Sequence, residues 1–111
     1  MQREINKYLF DIQTALDNIE AYVGQPKLFE TFKGNLMLQQ AVERNLEIIG
    51  EAVNSLLQID PEIKITSARR MVDTRNKIIH GYDEIQPEQI WNIIINHLHI
   101  LKNEVETLLN N

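Results

Sequence analysis

Apolar residues recur at alternating three- and four-residue steps in four long runs, the spacing that lines one face of an amphipathic helix. In the first run the stripe is Ile5, Leu9 with Tyr8, Ile12, Leu16, Ile19 and Val23, which predicts a helix from about residue 3 to 22. Gly24, Gln25 and Pro26 end it, and Lys27 to Gly34 form a connector with one short turn around Phe29 and Phe32. The second stripe is Leu38, Val42, Leu46, Ile49, Val53 and Leu56, which predicts a helix from a cap at Asn35 to about Leu57. Asp60-Pro61 breaks the chain. A third helix, capped by Thr66 or Ser67, runs to His80 and stops at Gly81, the residue type that most readily takes the left-handed conformation past a helix end. Pro87 suits the first turn of a fourth helix, whose stripe Ile90, Ile94, Leu98, Leu101, Val105 and Leu108 extends it to about Leu109.

Four long helices with short connections predict an all-α, antiparallel four-helix bundle made of one domain, residues 1–111. The second and fourth helices carry more apolar surface than one seam requires. Ile48 and Ala52 add to the former, and Trp91, Ile93, Ile95 and Ile100 to the latter. In a small chain a second apolar face suggests pairing between protomers, and so a homodimer. Trp91 reads as core.

Charge refines this outline. The chain has net charge −5, which argues against broad nucleic-acid binding through phosphate neutralisation. The charge is uneven, though. Five of the eleven basic residues (Lys64, Arg69, Arg70, Arg75 and Lys77) lie between positions 64 and 77 beside a single acid, Asp73. Such a patch suits a polyanion held at one place, or it is a solvated face. The absence of cysteine removes disulfide and thiolate chemistry and fits a cytoplasmic protein. No run of about 18 apolar residues predicts a membrane span, and the first residues lack a signal-peptide pattern.

The densest polar chemistry lies in the run TRNKIIHGYDE. Arg75 falls three residues after Val72 and four before Ile79, on the face that should be buried. A guanidinium keeps its proton, so it needs an anionic partner from the protein or from a ligand. Glu47 and Glu51 on the second helix are candidates, with Glu51 preferred; Glu43 reads as a solvated edge. His80 ends the third helix. Alone it would be a residue interacting with the helix dipole. Beside an arginine, an imidazole titrating near neutrality can move protons while the guanidinium holds a phosphate. The pair suits metal-free phosphodiester chemistry on RNA, whose ribose 2′-hydroxyl is an internal nucleophile. Five residues span about 140° of an ideal helix, so Arg75 and His80 converge only if the last turn distorts or a second copy completes the site. Asn76 either holds His80 across the turn or faces water. Tyr82 either packs under the helix end or borders the site, where its phenol could accept a modification. His97 and His99 lie two apart and so point to different faces. No i, i+4 histidine pair suits a metal, and both read as surface or interface residues.

Arg75-Asn76-Lys-Ile-Ile-His80-Gly81-Tyr82 resembles the R-x4-H-x-Y signature of HepT-like proteins of the HEPN superfamily. AVERNLEIIGEAV, residues 41–53, and the segment IQPEQIW are similar to the helices flanking that motif in the family. Many relatives carry a tryptophan shortly before the third helix, where this chain has Thr66-Ser67. The resemblance implies a helical, metal-independent endoribonuclease without a cofactor, the toxin of a type VII toxin–antitoxin pair. It implies a homodimer whose two motifs share a cleft, with Arg75 and His80 catalytic. Tyr82 would be the residue to which an MntA-type nucleotidyltransferase antitoxin transfers AMP, and adenylates there would block RNA. Two other readings remain: a non-catalytic nucleotide- or substrate-binding subunit of a small nucleotidyltransferase, and a plain helical dimerisation module.

Overall fold

Chain-breaking chemistry sets the helix limits seen in the structure, a computed structural model that describes residues 1–81 and 85–110. Helix α1 spans Gln2–Val23 and ends at Gly24, whose φ is 68°. The short α2, Phe29–Lys33, is the turn anticipated around the two phenylalanines. Helix α3, Leu36–Ile59, begins at Asn35, whose side chain accepts a hydrogen bond from the Leu38 amide. Helix α4, Ala68–His80, stops at Gly81 in the left-handed conformation, φ 61° and ψ 19°. The anticipated fourth helix is divided into α5, Pro87–Asn96, and α6, Leu98–Leu109, with His97 between them at φ −123° and ψ −32°. The Leu101 amide still donates to the His97 carbonyl, so the chain keeps its course through the break. Neither proposed cap of α4 uses its side chain as one. Ser67 occupies the cap position without a side-chain bond, while the Thr66 amide and hydroxyl both donate to the Glu104 carboxylate on α6.

Helix α3 packs against both α1 and α4, and α6, which continues α5, packs back on α1. The core is the expected stripes: Leu9, Ile12, Ile19, Val42, Leu46, Ile49, Val53 and Leu56 meet Met71, Ile90, Leu101 and Val105, all nearly sealed from solvent. Each fully buried Leu or Ile contributes about 1.5–3 kcal/mol by leaving water. Trp91 packs its half-buried ring against Phe29 and Phe32, with centroids 5.8 and 5.4 Å away, which pins α2 to α5. One polar link crosses the core. Asn45 is 5% exposed, donates to the Ala41 carbonyl, and accepts from Asn18 of α1 at 3.2 Å. Among the described residues no helix is long and apolar enough to cross a membrane.

Candidate functional site

Arg75 is held where α3 and α4 come closest. Gly50 makes that approach possible. A Cβ on residue 50 would collide with the Arg75 Cβ and lie 2.7 Å from the Met71 carbonyl oxygen. With the helix backbones this close, the Arg75 side chain runs along α3 and is 26% exposed. Its Nη2 lies 3.6 Å from an oxygen of Glu51, itself 52% exposed. Glu51 is therefore the helix-α3 carboxylate facing the arginine; Glu47 turns instead to Arg44, 3.4 Å away. So long and half-wet an ion pair is worth little on its own. Arg75 Nη1 donates to the Asn76 side-chain oxygen at 3.1 Å. Asn76 thus steadies the arginine next to it, which neither earlier reading of Asn76 anticipated. Arg75 Nε is buried and has no hydrogen-bond partner among the described residues. A buried donor left unpaired is costly, and the outer nitrogens of this guanidinium are held only by the long contact to Glu51 and the bond to Asn76.

The arginine borders an open cleft of about 390 Å³, walled by Lys7, Tyr8 and Asp11 of α1 and by Ile48, Asn54 and Ser55 of α3. Tyr8 had been read only as part of the core stripe. It lines the same cleft as the arginine because of how α1 crosses α3, which no pattern within α1 reveals.

His80 is the exposed last residue of α4. The helix is regular up to it, and the Gly81 amide donates to the Lys77 carbonyl at 3.1 Å as an undistorted turn requires. At 1.5 Å and 100° per residue, Arg75 and His80 stand about 7.5 Å apart along the axis and about 140° apart around it. The final turn does not bend to bring them together within one chain. Tyr82 lies outside the described residues.

Glu43 departs from the solvated edge expected of it. It is half-buried in a cleft of about 420 Å³ with Gln39, Lys77, Ile78 and Gly81, and burial raises its carboxyl above the ordinary range. The two later histidines differ from each other. His99 is exposed, whereas His97 is partly buried and its pKa is lowered, first by burial and then by the positive charges of Arg70 and His99.

An all-helical bundle whose α4 carries an arginine against α3 and ends in His80-Gly81 belongs to the HEPN class of folds. Within that class the chain belongs to the HepT-like family of ribonucleases: the profile described as "Ribonuclease HepT-like" matches residues 12–108. A probable ribonuclease HepT of Thermococcus cleftensis is 35% identical, the match covering 97% of this chain and 98% of the relative. A putative RNase of Methanocaldococcus jannaschii is 30% identical over 97% of this chain and 89% of its own length. Another, of Caldanaerobacter subterraneus, is 32% identical over 73% of each. No solved structure matches the chain.

Proposed function

We propose that the chain is a metal-independent endoribonuclease that works as a symmetric dimer, with Arg75 and His80 of both copies around one cleft. The single observation that carries this is the regular last turn of α4. Because a regular helix sets positions 75 and 80 about 140° apart around its axis, a second copy is what brings an imidazole to face a guanidinium in this reading. An apolar patch supports such pairing at this end of the bundle. Leu36 and Met37 are 67% and 79% exposed, and Ile79 is also exposed. Leu36 lines the same cleft as Gly81.

The chemistry follows from these groups. Arg75 holds the non-bridging oxygens of the scissile phosphate and offsets the charge that builds there. One His80 takes the proton from the ribose 2′-hydroxyl, whose oxygen attacks phosphorus. The P–O5′ bond breaks, and the other His80 returns a proton to the leaving 5′-oxygen. The products are a 2′,3′-cyclic phosphate and a 5′-hydroxyl end. The wider role is the toxin of a type VII toxin–antitoxin pair. A cognate MntA-type nucleotidyltransferase transfers AMP from ATP to the Tyr82 phenol oxygen with release of pyrophosphate, and the phosphate-linked adenylate blocks RNA by bulk and charge. What supports this wider role is the family assignment together with the position of Tyr82, two residues past His80.

The test is expression without a partner. Wild-type protein should arrest growth and leave RNA fragments with cyclic-phosphate ends, and His80→Ala should do neither. Cleavage surviving in a folded His80→Ala protein would overturn the mechanism. Absence of ribonuclease activity in wild type at high concentration, with stable binding to a nucleotidyltransferase, would instead favour a non-catalytic subunit. Intact mass after co-expression with that partner tests the switch, which requires whole adenylates on Tyr82.

A further inference from the structure

A cleft of about 640 Å³ lies between α4 and α5 and includes neither Arg75 nor Gly50. Its α4 wall presents Arg69, Arg70 and Lys77, and its α5 wall presents Gln89 and Asn92. Asp73 and Glu88 also line it, so three cations stand against two carboxylates. None of the three cations is in an ion pair among the described residues. In a chain of net charge −5, cations gathered on one helix and out of ion-pair range of every carboxylate among the described residues are spare binding capacity.

The cleft also leads somewhere. Lys77 and Ile85 line both this cleft and the one beneath Gly81, so the two are neighbours near the end of α4 that carries His80. From His80 to Arg69 is eleven residues of helix, about 16 Å. The groove therefore lies along α4 from near its His80 end toward its first turn, with side-chain amides on the facing wall able to meet base edges.

We propose that this groove binds single-stranded RNA flanking the cleaved bond, with Arg69, Arg70 and Lys77 on successive phosphates and Gln89 and Asn92 toward the bases. The inference rests on the ribonuclease reading for its choice of ligand. Charge complementarity commits the groove to a polyanion, and a positively charged groove following the backbone is how single strands are held.

The measurement is fluorescence anisotropy of a labelled single-stranded RNA on the full-length chain carrying His80→Ala, which keeps the probe intact. Each phosphate contact on a single strand adds about 0.7 to the slope of log affinity against log salt, about fivefold at 0.1 M. Adding Arg69→Gln with Arg70→Gln should weaken binding roughly 25-fold at 0.1 M salt and reduce the slope by about 1.4. Lys102→Gln on α6, the same loss of charge elsewhere, should stay within about twofold of the parent, since it removes no phosphate contact. If the double variant fails to fold, Lys77→Gln carries the test, with a loss of about fivefold. Unchanged binding in the cleft variants overturns the proposal and leaves the groove to an acidic protein surface. An equal loss in Lys102→Gln, or no RNA binding by the parent, also overturns it. Failure of the ribonuclease reading looks different: wild-type protein would bind the RNA through this groove and leave it uncut.

Discussion

A methyl group at residue 50 has nowhere to go. It would meet the Arg75 Cβ and the Met71 carbonyl oxygen, and backbone atoms cannot turn aside as a flexible side chain can. Gly50→Ala should therefore push α3 from α4, costing about 1–3 kcal/mol as overpacking does. Urea denaturation would measure this as a lower midpoint at unchanged slope, and RNA cleavage should fall with it because the guanidinium moves. Glu43 makes a prediction of the opposite sign. Its folded-state pKa lies above the ordinary value of 4.5 because burial penalises the charged form. Below that ordinary value both states are protonated and the contribution to stability is at its fullest. As pH rises through the window up to the folded pKa, the unfolded chain releases its proton first and stability is lost. Glu43→Gln removes this cost, so its melting temperature should exceed wild type at pH 7 and the gain should vanish by about pH 4. A variant less stable at pH 7 would show that the carboxylate is satisfied by a contact outweighing its burial.

Among the elements, the link between Thr66 and Glu104 ties the entrance of α4 to α6 across 38 residues of sequence. Three donor–acceptor contacts of 2.6–3.1 Å converge on one carboxylate. Charge-assisted bonds of this kind are worth about 1.5–3 kcal/mol each at most, and less where water competes as it does here. Glu104→Ala should thus destabilise the chain by about 1–2 kcal/mol in thermal melts, with faster amide exchange at the start of α4. This link also marks where local sequence stops being informative. The helix limits at Gly24, Asn35, Asp60 and Gly81 were legible because each is set by the chemistry of the residue itself. The choice between Glu47 and Glu51 was not, since residues one turn apart share a face of α3 and only the crossing of α4 sets which of them Arg75 meets. The interruption at His97 was not legible. Ile94, Leu98, Leu101 and Val105 keep their spacing straight through it and all are buried, so the apolar pattern carries no trace of the break. Nor were Tyr8 in the cleft of Arg75, the partner of Thr66, or the basic groove, because each depends on how two distant helices cross.

For the molecule as a whole, the exposed Leu36 and Met37 should be spent in pairing two copies. Both lie on the surface of the single chain, so charging them carries little folding penalty. Leu36→Asp with Met37→Asp should leave the melting temperature of the monomer nearly intact and shift sedimentation toward the single-chain mass. Cleavage should then fall at dilute enzyme and recover only at concentrations that restore the pair. Activity independent of concentration in a proven monomer would contradict a shared site. The buried amide of Asn45 has a consequence of the same reach. Two long apolar stripes can slide past each other by a helical turn at modest loss of oily contact, but such a slip would carry Asn18 away and strand a dry amide oxygen without a donor. A single asparagine pair therefore rejects the neighbouring registers of the two longest helices. That fixes how far along the bundle the Tyr8 phenol comes to rest.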